Sequence, residues 1–113
     1  MPRNIYSAVL FEGTDISGTA ELSTVPTTET WVARFMASTF GTFAGYVRTA
    51  LADNPGGPWL WLNTSRQTSI IGVSKQTFYW EGRMVFEPGV TMYAQVDSPD
   101  TCDLYVSGYR LIN

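Results

Sequence analysis

A chain of 113 residues with a net charge of −3 has the length of one domain. Its seven basic residues, Arg3, Arg34, Arg48, Arg66, Lys75, Arg83 and Arg110, stand singly, so the basic footprint needed for a nucleic acid or an anionic membrane surface is missing. With no His and one Cys, the composition excludes Ser-His and Cys-His nucleophile pairs, imidazole metal sites, a cysteine zinc site and an internal disulfide.

No run approaches 18 apolar residues, so none is long enough for a membrane-spanning helix. The opening "MPRNIYSAVLFEGTD" reads as no signal peptide, and synthesis in a cytoplasm is expected. In chain order, strands are expected near 4–11, 18–24, 30–38, 44–52, 59–63, 68–73, 76–86, 90–97 and 102–112, because β-branched and aromatic runs alternate with turn signals. Those signals are "EGTDISG", "VPTTE", "TFGTF", "DNPGGP", "NTSRQ", "EPG" and "DSPD". In "TWVARFMAS", period-2 geometry puts Trp31, Ala33, Phe35 and Ala37 on one face, with Val32, Arg34, Met36 and Ser38 on the other. Met92, Ala94 and Val96 form one apolar face late in the chain, and Cys102, Leu104 and Val106 form another. Gly82 and Gly108 inside strand patterns mark bulges or close backbone approach. Eight to nine short strands with no linker or repeat give one domain over residues 1–113. Its expected fold is an all-β, antiparallel, jelly-roll-like sandwich.

"GGPWLWLNTSR" sends Trp59 and Trp61 to one face and Leu60 and Leu62 to the other, so neither face is polar. Four Trp, six Tyr and six Phe are many for one small core, so some rings are expected to face a partner. Tyr46, Trp59, Trp61, Tyr79 and Arg83 are the candidate contact residues, since interfaces favour aromatics and Arg.

Catalytic chemistry finds no foothold. Glu12, Glu81 and Asp103 have no distinguishing neighbours that would make a glycosidase pair. Asp97, Asp100 and Asp103 in "DSPDTCD" offer oxygens for calcium, but the same residues build a tight turn. No catalytic residue, cofactor or metal ligand is assigned. Exposed Trp faces would alternatively suit a carbohydrate-binding module.

The runs "STVPTTETWVARFMAS", "PWLWLN" and "FYWEGRMVFEPGVTMYAQVDSPDTCDLYVSGYRLIN" resemble small minor tail proteins of tailed phages that infect actinobacteria. The resemblance rests on Thr24-Val25-Pro26 with Thr30-Trp31-Val32, on Trp80, Gly82, Arg83, Val85, Pro88 and Gly89, and on Val106-Ser107-Gly108-Tyr109 with Leu111. It covers roughly residues 22–112, and its motifs are strand and turn patterns without a catalytic fingerprint. It implies a non-enzymatic structural subunit of a virion, in the tail or alternatively on the capsid as a decoration protein. Other virion proteins are then its partners, a homo-oligomer (trimer or hexamer) is expected, and host surface glycan is a further possible contact.

Overall fold

The computed structural model describes residues 4–40, 45–67, 76–97 and 101–113. Within them lie eight strands: β1 (Asn4–Ile16), β2 (Gly18–Thr24), β3 (Glu29–Phe40), β4 (Gly45–Ala52), β5 (Leu60–Gln67), β6 (Gln76–Phe86), β7 (Thr91–Asp97) and β8 (Cys102–Ile112). They form two antiparallel sheets, β1-β8-β3-β6 and β2-β7-β4-β5. Strand 1 pairs with 8, 2 with 7, 3 with 6 and 4 with 5. One long antiparallel ribbon has thus been wrapped until β3 meets β8 and β4 meets β7. That strand order is the jelly roll.

The core lies between the sheets. Met36, Phe40, Leu51, Phe86, Met92, Leu104 and Val106 are all buried there. The alternations expected for Met92, Ala94 and Val96, and for Cys102, Leu104 and Val106, are those observed. At the sheet-to-sheet contact, the Ser38 and Thr49 hydroxyls hydrogen-bond at 3.1 Å, so these buried polar groups satisfy each other.

One end of the sandwich is closed by the two proline turns. The Val25 N–H donates to the Val90 carbonyl (2.8 Å), and the Gly89 N–H donates to the Val25 carbonyl (3.0 Å). Gly89 takes φ +80°, a conformation that favours glycine. Beside this closure, the buried Glu29 carboxylate accepts from Arg110 through Nε (2.6 Å) and Nη2 (2.9 Å), and from the Trp31 indole N–H at 3.1 Å. The Arg110 guanidinium, then the indole, hold that carboxyl below its ordinary range.

A line of β-bulges crosses the first sheet. Register shifts fall at Leu10 in β1, at Arg34 in β3 and at Gly82–Arg83 in β6, all within about one residue of the same level. Gly108 of β8 sits on this line, and a Cβ there would run into the Val32 carbonyl oxygen. A Cβ on Gly82 would strike the Trp80 indole, which lies over it. Both glycines therefore play the roles their positions in strand patterns imply.

Four expectations are corrected. The extra residue at Arg34 inverts β3, so Trp31 and Ala33 face the core and then Met36, Ser38 and Phe40 do. Phe35 and Ala37 consequently share the opposite face from Trp31, because one inserted residue shifts a period-2 pattern by half a cycle. The first strand runs on to Ile16, since its bulges let it follow β8 through "EGTD". "NTSRQ" is strand, because β4 offers it a pairing edge that outweighs its turn composition. The strand pattern at "PWLWLN" begins at Leu60, after a turn containing a cis Gly57–Pro58 bond, so Trp59 precedes the strand. The strand expected at 68–73 lies outside the described residues.

Candidate functional site

An antiparallel sheet that packs one face on a core ordinarily shows a polar face to water. The outer face of β1-β8-β3-β6 departs from that rule. Register places its side chains in cross-strand rows: Ser7, Tyr109, Val32 and Val85, then Val9, Ser107, Phe35 and Glu81, then Glu12, Tyr105, Ala37 and Tyr79. Tyr79 is 65% exposed, Val9 51% and Tyr109 42%. Phe35 sits between two tyrosines, 5.7 Å from Tyr79 at an interplanar angle of 38° and 6.2 Å from Tyr105 at 71°. Such tilted and edge-on pairs are favourable aromatic geometry, but they do not form a flat stacking platform.

Along the two central strands of this face charge changes sign from one end to the other, while Glu81 and Glu12 stand in the middle rows at its two edges. At the bulge line, Arg34 and Arg83 line an open groove of about 450 Å³ with Val32, Tyr109 and Leu111. Neither guanidinium has an ion-pair partner among the described residues, and the pairing of Arg83 with Glu81 or Glu87 that its neighbours invite is not made. Toward the other end, Glu12 and Asp103 line a smaller opening of about 180 Å³ beside Ala37 and Tyr105. Asp103 accepts a hydrogen bond from the Asp15 N–H at 3.4 Å.

The candidate contact residues divide between the two sheets. Tyr79 and Arg83 both point outward from β6, the edge strand of the apolar face. Trp59 is half-buried at the end of the turn before β5, and its neighbour Leu60 is 49% exposed. The backbones of Tyr46 and Trp61 pair with Arg66 and Ala50 respectively, in the other sheet, and their side chains lie outside the described ones. The edge strands β5 and β6 touch, so these two groups share one flank of the sandwich without forming one site. Val9, Arg34, Phe35, Tyr105 and Tyr109 were not singled out by sequence reasoning. The available signal was the second apolar face of 102–109, where Tyr105 and Tyr109 alternate with Leu104 and Val106.

Two other chemical candidates resolve simply. Asp97 pairs with Arg48 at 3.0 Å, Asp100 lies outside the described residues, and no group of three metal-ligating side chains occurs among those described. Cys102 is buried, and desolvation, reinforced by the nearby Asp103 charge, pushes its thiol up to about 12.

No family model and no curated protein matches the chain. Among solved structures, the chain is similar to one in the cryo-EM structure of the giant freshwater prawn Macrobrachium rosenbergii extra small virus (XSV) VLP. The two are 11% identical with a TM-score of 0.43, and the match covers 98% of this chain and 79% of that one. Similarity also extends to chains of infectious bursal disease virus, Gx strain (7% identity, TM-score 0.36) and Gt strain (9%, 0.36). The matches cover 97% and 96% of this chain but only 31% of each of those, so the chain spans under a third of their length. The jelly-roll assignment stands on the strand order itself.

Proposed function

We propose that this protein is a non-enzymatic structural subunit of a virion that works through protein–protein contacts. The carrying observation is the outer face of β1-β8-β3-β6, where Val9, Phe35, Tyr79, Tyr105 and Tyr109 occupy positions that ordinarily face water. Aromatic side chains with interspersed Arg are the composition that interface centres favour. The Cys102 thiol, buried in the core with its thiolate suppressed, is not available as a nucleophile. The virus-derived structures noted above are consistent in fold with such a part, and carry nothing finer.

Within the virion, the sequence resemblance favours a minor tail protein of a tailed phage, with a capsid decoration protein as the alternative. Immunogold labelling of purified particles with antibody to this chain separates them. Gold on tails supports the first reading and gold over heads the second. Particles that carry no label contradict a virion role. A carbohydrate-binding module is the less favoured reading, because the Tyr79 and Tyr105 rings are both tilted to the Phe35 ring.

A further inference from the structure

We infer that the outer face of β1-β8-β3-β6 is the contact surface for a second copy of this chain, related by a two-fold axis. The inference rests on the structural reading above and names the partner of the same face. Its basis is the order of chemistry along the strands. On the two central strands and beside them, one end carries Arg34 and Arg83, which have no ion-pair partner among the described residues, the middle carries Phe35, Tyr105 and Tyr79, with Glu81 and Glu12 at the β6 and β1 edges of their rows, and the other end carries Asp103. Such a basic–aromatic–acidic sequence is complementary to its own reverse.

The geometry follows from the register. Thr39 is five residues beyond Arg34 in β3 and directly opposite Asp103 in β8. The basic and acidic levels are therefore roughly 16 Å apart at about 3.3 Å per residue. An axis lying in the contact plane and crossing the strands between the Phe35 row and the Tyr105 row superposes the two levels in opposite sense. Arg34 of one copy then lies one strand spacing, roughly 4.8 Å, to the side of Asp103 of the other. A guanidinium on its flexible stem spans that offset. The same operation lays the Tyr105 row of each copy on the Phe35 row of its mate, so the rings cover one another. Because the contact is isologous, the Arg34–Asp103 pair forms twice. The arrangement fits a dimer, or a hexamer assembled from dimers, but not an isolated ring of three.

Sedimentation equilibrium on the purified full chain tests this, with circular dichroism confirming the fold of each variant. The wild-type chain is expected to dimerise, with association weakening as salt rises. Arg34→Glu is expected to weaken association about tenfold or more, since it removes two pairs at once. Asp103→Asn, which keeps an acceptor for the Asp15 N–H, is expected to weaken it less. Arg34→Glu combined with Asp103→Lys is expected to restore the dimer, and Asp103→Lys alone stands in if the Arg34 variant does not fold. A folded wild-type monomer at millimolar concentration overturns the inference, whether the face then takes a glycan or a different virion protein. So does a trimer, or association that ignores both charge reversals. A monomer still found on particles by immunogold sinks the dimer alone, whereas a dimer absent from particles sinks the virion reading alone.

Discussion

Single residues decide where this fold is most vulnerable. Gly108 has backbone where a side chain would go, so Gly108→Ala is expected to destabilise the protein by about 3 kcal/mol or more in urea denaturation. Glu29 gives a pH dependence with a definite sign. Its carboxyl is held low by Arg110 and Trp31, so its contribution is fully present above the ordinary carboxylate range near pH 4 and is lost as pH falls through the lowered value. Thermal unfolding between about pH 2 and 7 should therefore show Glu29→Gln less stable at neutral pH and less sensitive to acid than the wild type. Equal acid sensitivity of the two would show that the pairing is not felt. Cys102 should resist thiol reagents at pH 8 until the chain is unfolded. The two strand glycines were legible as bulge or close-approach positions, because no other role explains Gly inside an alternating run. Glu29 was not, because the sequence shows it only as the end of a polar turn, and its partner is 81 residues away.

At the scale of elements, strands with one uninterrupted alternation could be read directly, as 91–97 and 102–106 show. The third strand could not, since a bulge leaves no mark in the hydrophobic pattern and Arg34 looks like any outward residue. That single insertion turned Phe35 from an expected companion of Trp31 into the centre of the outer aromatic cluster. Composition misled in the opposite direction at "NTSRQ", where polar residues occupy an edge strand. The division between core and outer face can be measured. Phe86→Ala, which empties a fully buried site, is expected to cost about 3–5 kcal/mol. Tyr79→Ser, on the exposed edge strand, is expected to cost about 1 kcal/mol or less in the isolated chain. Similar losses for both would place Tyr79 in the fold's own core.

For the whole molecule, frequent turn signals and short β-rich runs were enough to indicate a jelly-roll-like sandwich, and the strand order is that of a jelly roll. The site was only partly readable. Tyr79 and Arg83 lie on the unusual face, while Trp59 belongs to the flank beside the other sheet, because long-range pairing, from Phe40 with Gln76 to Glu29 with Ile112, and not local pattern, determines which strands become neighbours. A jelly roll serves many purposes, so function has to be argued from the face it presents. Here that face gathers rings and arginines into a surface that another polypeptide would complete. A density map of the particle containing this chain tests that claim most directly. The account predicts that Tyr79, Tyr105 and Tyr109 are covered by a neighbouring polypeptide. An outer face bare to solvent on every copy, or one filled by glycan, would contradict it.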